Sequence, residues 1–150
     1  MARMEKSIII KAPPEKIWEM LAFDRLLEWD EGTQKNAKSV KYTSEVHTSD
    51  DKYRVGATAR MDTKRGVMDL EIMESLENSK FVYRAVEGNI NAIQTYSLHP
   101  EEDGTRFTRA VDYGLPFGIL GKFLNSLFAQ RMLEKEIERS LENLKSTLEK

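Results

Sequence analysis

The chain has no cysteine, only two histidines, four prolines and eight glycines in 150 residues. Without thiols there is no disulfide framework and no cysteine nucleophile. With His47 and His99 as its only imidazoles, a metal site is not expected. No apolar run approaches the ~18 residues needed to cross a bilayer, and residues 1–7 lack the apolar centre of a signal peptide. The expected setting is the cytoplasm, with no stable membrane insertion. Neither charge dominates: 23 basic and 25 acidic side chains are mixed along the chain. That balance argues against a nucleic-acid partner, which requires a clustered basic face. Glycine-rich phosphate loops are missing too, since Arg54-Val55-Gly56-Ala57 and Lys64-Arg65-Gly66 are single-glycine turns. No cofactor is implied. There is no linker, repeat or low-complexity segment, so residues 1–150 are expected to form a single domain, long enough to bury about two-thirds of its unfolded surface.

The sequence that remains has two helical brackets around strand-like sequence. Residues 4–11 read as a strand ending at Pro13-Pro14, and prolines suit the first helical turn, where their missing N–H groups are not needed. Ile17, Trp18, Met20 and Leu21 then recur at helical spacing, and a second short helix is expected near Asp24 to Glu28. From Asn36 to Tyr113 the period changes to two, with turns at 49–51, 64–66, 77–79, 87–89 and 101–104. Six strands joined by short turns imply an antiparallel meander. The last bracket, from about Phe117 to Leu148, reads as one long helix. Its second half has a narrow stripe, Ile137, Leu141, Leu144 and Leu148, for packing on the sheet. Its first half is more broadly apolar, through Leu120, Phe123, Leu124, Leu127, Phe128 and Met132. Gly114, Pro116, Gly118 and Gly121 near its start suggest a mobile gate.

The alternation also selects the inward residues. Val40, Tyr42, Ser44 and Val46 share one face, as do Met68, Leu70 and Ile72, with Asp69 and Glu71 outward. Ile90, Ala92, Gln94, Tyr96 and Leu98 form another inward set, and Phe107, Arg109, Val111 and Tyr113 the next. Gln94 and Arg109 are the polar interruptions. A guanidinium held in a hollow offers a planar fork of donors to a ligand carboxylate or enolate. A one-residue register slip would instead turn Arg109 out. Gln94, Tyr96 and Tyr83 either fix the polar end of a ligand or satisfy one another. His47 near a turn and His99 at a strand end have no partner at relay spacing and read as surface residues.

The run Ile10-Lys11-Ala12-Pro13-Pro14-Glu15-Lys16-Ile17-Trp18, followed by Trp29, Val55-Gly56-Ala57-Thr58, Tyr96-Ser97-Leu98, Asp103-Gly104-Thr105-Arg106 and Leu141-Glu142-Asn143-Leu144-Lys145, resembles the polyketide cyclase/dehydrase and lipid-transport superfamily. This is the group of START and birch-pollen-allergen-like (SRPBCC) proteins. The resemblance covers nearly the whole chain. It implies an α+β helix-grip fold, with a curved antiparallel sheet of about seven strands wrapped around a long C-terminal helix and two short helices after the first strand. It implies a carrier or receptor for a small hydrophobic molecule such as a lipid, quinone, sterol or polyketide-like compound. Members also include cyclases, and chaperone cofactors that act as protein-interaction modules. On this reading the cavity wall comprises Tyr42, Met61, Met68, Leu70, Tyr83 and Tyr96 together with Phe107, Phe123, Leu127, Phe128 and Met132, and Gln94 and Arg109 are its polar points. The inferred wall holds no His, Asp or Glu. A cofactor-free cyclase or dehydratase would therefore move protons with Tyr96, Arg109 and bound water. The interaction-module alternative requires an apolar outer sheet face, where Lys, Arg, Glu and Asp are instead abundant.

Overall fold

A computed structural model describes residues 2–114 and 127–150. Strand β1 (Ala2–Ile10) leads through Pro13 into helix α1 (Pro14–Glu19), with Pro14 in the first turn. The helix expected near Asp24 to Glu28 is a 3₁₀ turn over Phe23–Arg25 followed by α2 (Leu26–Trp29). A further helix that the sequence reading did not anticipate, α3 (Glu31–Asn36), follows at once. The remaining strands are β2 (Ala37–Tyr42), β3 (Thr58–Thr63), β4 (Gly66–Leu76), β5 (Lys80–Glu87), β6 (Ile90–Glu101) and β7 (Gly104–Gly114). β2 stops at Tyr42, so Ser44 and Val46 lie beyond it, and the expected turn at 49–51 is a 3₁₀ helix over Ser49–Tyr53. Helix α4 (Leu127–Leu148) closes the chain. The proposed gate at 114–121 falls largely outside the described residues, as do Leu120, Phe123 and Leu124 and the side chain of Leu127.

The strands form a seven-stranded antiparallel sheet in the order β1-β7-β6-β5-β4-β3-β2. Register shifts between Ile72 and Glu74 and between Ala37 and Ser39 bend their strands. The curved sheet grips α4, whose Ile137, Leu141 and Leu144 are buried as the apolar stripe requires. Lys145 Nζ donates to the Ile9 carbonyl at 2.9 Å, and Lys6 Nζ to Glu134 at 2.6 Å, fixing the helix along β1. At the β6–β7 turn only glycine fits. Gly104 has φ 155°, and a Cβ there would collide with the Ile10 carbonyl. The outer face is charged, with the ion pairs Arg60–Asp69 and Arg84–Glu71 across neighbouring strands. Among the described residues no helix is long and apolar enough to cross a membrane.

One end of the interior is filled by rings. Phe23 meets Tyr83 edge-on at 5.1 Å, Trp29 meets Tyr96 at 5.6 Å, and Tyr96 meets Phe107 at 5.6 Å. Such contacts add about 0.5–1.5 kcal/mol per pair to the stabilisation from burial itself. The buried Trp29 indole donates to the Met20 carbonyl at 2.7 Å, so its polar atom costs nothing in the core.

Candidate functional site

The inward residues of β5 and β6 shrink toward the other end of the sheet. Phe81 faces Tyr96, Tyr83 faces Gln94, and Ala85 faces Ala92. Two methyl groups where rings stood before leave space, and a cavity of about 180 Å³ lies there. Met61, Met68 and Leu70 wall it from β3 and β4, Ala85 and Ala92 from the sheet centre, and Leu133 from α4. Its polar lining is Gln94, Arg109, Asp30, Thr33, Asn36, Thr63 and Glu136, with Arg65 and Glu87 also lining it and paired at 3.7 Å.

Arg109 points inward and is 6% exposed, so no register slip has turned it out. Its Nη1 donates to Asp30 Oδ1 at 2.7 Å and its Nε to Gln94 Oε1 at 3.1 Å. The guanidinium also lies 5.6 Å from the Tyr96 ring centre and 5.8 Å from that of Trp29. Asp30 caps α3, its Oδ2 accepting from the Thr33 N–H at 3.1 Å and the Thr33 hydroxyl at 2.5 Å. Ser140 Oγ lies 3.2 Å from Asp30 Oδ1 and 2.9 Å from the Glu136 carbonyl, its one proton serving either acceptor, and it accepts from the Glu31 N–H at 2.8 Å. The four lone-pair positions of the Asp30 carboxylate thus all face donors. Burial pushes the Asp30 carboxyl upward, but the guanidinium and the Thr33 hydrogen bonds outweigh it and hold the group below its ordinary value. Burial likewise works against the charge on Arg109, and Tyr96 and Asp30 overcome it, so the arginine stays protonated. The positive point expected to receive a ligand carboxylate is therefore already neutralised from within.

Glu136 differs from its neighbours. Its half-buried carboxyl lines the cavity, and among the described residues it makes no hydrogen bond or ion pair. Burial, reinforced by the Asp30 carboxylate, raises its pKa above the usual glutamate value. It packs against the backbone of α3 at Gly32, where a Cβ would collide with Oε1. The expectation of a wall without Asp or Glu is thereby corrected: three carboxyls are present, Asp30 from the α2–α3 junction, Glu87 from the end of β5 and Glu136 from α4.

The other expected wall residues are divided. Met61, Met68, Leu70, Tyr83, Gln94 and Arg109 converge on the cavity. Tyr96 is fully buried behind it, its hydroxyl 2.9 Å from that of Tyr83, and burial pushes its phenol up to about 12. Phe107 packs in the ring cluster against Trp29. Tyr42 sits against Phe23, with its hydroxyl 3.3 Å from Asp24. Phe128 and Met132 are 66% and 56% exposed, and Leu133, the next residue, is the one that turns inward. His47 and His99 are exposed, and among the described residues no group of His, Asp and Glu is arranged to hold a metal.

Asp30, Ser140 and Glu136 escaped the sequence reading, although signals for each exist. Asp30 stands three residues before Thr33 in the N-cap pattern. Leu133, Glu136 and Ser140 follow one helical face beside the Ile137, Leu141 and Leu144 stripe, and a serine and a glutamate stand out next to a core-facing stripe.

The family described as polyketide cyclase/dehydrase and lipid transport matches residues 1–149. The chain belongs to that family. No curated protein matches the sequence. Among solved structures, protein BH1534 of Bacillus halodurans is 16% identical with a TM-score of 0.72, the match covering 99% of this chain and 97% of that one. Protein CV1439 of Chromobacterium violaceum is also 16% identical, with a TM-score of 0.70 over 100% of this chain and 99% of that one. DynU16, a protein of the dynemicin biosynthetic locus, is 14% identical with a TM-score of 0.68, covering 98% of this chain but 47% of its own. At these identities the likeness extends to the fold.

Proposed function

We propose that the protein binds a small, largely apolar molecule in the cavity between the sheet, α3 and α4. The observation that carries this reading is the step from Phe81–Tyr96 to Ala85–Ala92, which leaves space lined by two methionines, two leucines and two alanines in an otherwise ring-packed interior. An apolar cavity near 150 Å³ takes a benzene-sized guest, so about 180 Å³ suits a single ring or a comparable length of aliphatic chain. A whole sterol exceeds it. The family's description, which joins lipid transport to cyclase and dehydrase chemistry, supports a guest of this kind.

One observation favours a second reading, catalysis on such a guest. Glu136 supplies a carboxyl with a raised pKa at the cavity surface, as general acid–base work requires. Tyr96 and Arg109 suit that work less well, because both hold their protons firmly at neutral pH. Native mass spectrometry of the protein purified from an expression host, followed by extraction, tests the first reading. A stoichiometric apolar guest lost in Ala92→Phe is the expected result. A clean apo mass, together with no thermal stabilisation by single-ring compounds, contradicts it.

A further inference from the structure

The charges around the cavity leave one group without a counterpart. Asp30 is matched to Arg109 at 2.7 Å, and Glu87 to Arg65 at 3.7 Å. Glu136 alone of the lining's ionisable side chains has no partner among the described residues. The carboxyl lies against α3 at Gly32, in space that a Cβ there would occupy, which sets it at the cavity wall. A half-buried carboxyl with unused lone pairs gains most from a guest that supplies a donor. A guest ending in a carboxylate would instead meet like charge, with the nearest guanidinium already engaged.

We propose that Glu136 makes the cavity selective for guests whose polar end donates a hydrogen bond, a hydroxyl or a protonated amine, over guests that end in a carboxylate. This rests on the cavity being a binding site, and the experiment separates the two ideas. Four single-ring probes of similar shape are titrated into the full chain by calorimetry and amide chemical-shift mapping: ethylbenzene, benzyl alcohol, benzylamine and benzoate. Benzyl alcohol or benzylamine should bind at least about tenfold more tightly than benzoate, the ratio expected when one charge-assisted hydrogen bond is gained. Which of the two binds better separates a hydroxyl head from an ammonium head. In Glu136→Gln, which keeps the shape and removes the charge, this preference should collapse while ethylbenzene binding stays within about twofold, a change that a structural role alone would not produce.

Should Glu136→Gln fail to fold, the wild-type protein carries the test through pH. The groups facing Glu136 are Asp30 at the α2–α3 junction, Glu31 and Lys35 of α3, and Arg109 of β7. Asp30 and Arg109 keep their charges as pH falls from 8 toward the ordinary glutamate range, because the shift of each favours its ionised form. The preference for benzylamine over ethylbenzene should therefore shrink as Glu136 takes up its proton. Ethylbenzene binding with benzoate as tight as the donors, or an unchanged preference in Glu136→Gln, overturns the role of Glu136 and leaves the cavity reading standing. Failure of all four probes to bind overturns both.

Discussion

The two ends of the interior share strands β5 and β6, and differ first in what those strands point inward. At one end Phe81, Tyr96, Phe107 and Trp29 are buried with ring centres 5.6–6.3 Å apart. At the other, Ala85 and Ala92 stand opposite each other beneath Leu133, and Met61 and Met68 line the wall. The ring-packed end can hold the fold together while the hollow end remains open to occupation. Between them, the Asp30–Arg109 pair and Gln94 form a polar partition. A buried ion pair depends on further hydrogen bonds to repay its desolvation, and at Asp30 these come from the Thr33 N–H and hydroxyl, with the Ser140 hydroxyl also in reach.

The contrast is broken most severely at the partition and the rings. Asp30→Ala leaves a buried guanidinium unpaired and α3 uncapped, and should lower stability by about 3–5 kcal/mol in urea unfolding. Phe81→Ala should lose a similar ~3–5 kcal/mol, because its neighbours are rings that cannot collapse into the gap. At the hollow end the expected effect is of another order. Ala92→Phe adds a ring where space exists and should change stability by no more than about 1–2 kcal/mol, while removing binding of single-ring compounds. Equal losses at both ends would mean that the hollow is already filled.

Acid sharpens the comparison further. The folded-state pKa of Asp30 lies below its unfolded value, so its stabilisation is present above the ordinary aspartate range near ~4 and is lost as pH falls through the folded value. Glu136 has the opposite sign: its raised pKa means that the ionised form is the costly one, and protonation on acidification relieves that cost. Wild type should therefore lose stability below about pH 4 more steeply than Asp30→Asn, and Glu136→Gln should be at least as stable as wild type at pH 8. Urea midpoints measured across pH check both.

How far the sequence discloses this follows the range of each interaction. Period-two alternation and the Pro13-Pro14 helix start are local patterns, and they disclose the strands, their inward faces and the placement of Arg109. Helix α3 is hidden because Gly32 and Thr33 are poor helix formers, and its stability comes from the Asp30 cap and from packing on α4. The partner of Arg109 is hidden for a different reason. Asp30 lies 79 residues away in sequence, and no periodicity links a helix junction to a strand facing it. The cavity itself was readable in part: the descent Phe81, Tyr83, Ala85 against Tyr96, Gln94, Ala92 stands in the sequence once the register is known. Phe128 and Met132 are exposed and Leu133 lines the cavity, because a broad apolar helix face does not say which edge of it turns inward.

The most direct test is an amide chemical-shift titration of the wild-type protein and Ala92→Phe with ethylbenzene. Saturable shifts at Met61, Leu70, Ala85, Ala92 and Leu133, absent from the ring-packed residues around Phe81 and abolished in Ala92→Phe, are the predicted result. Shifts that do not saturate, or that persist unchanged in Ala92→Phe, would contradict a binding cavity at the hollow end of the sheet.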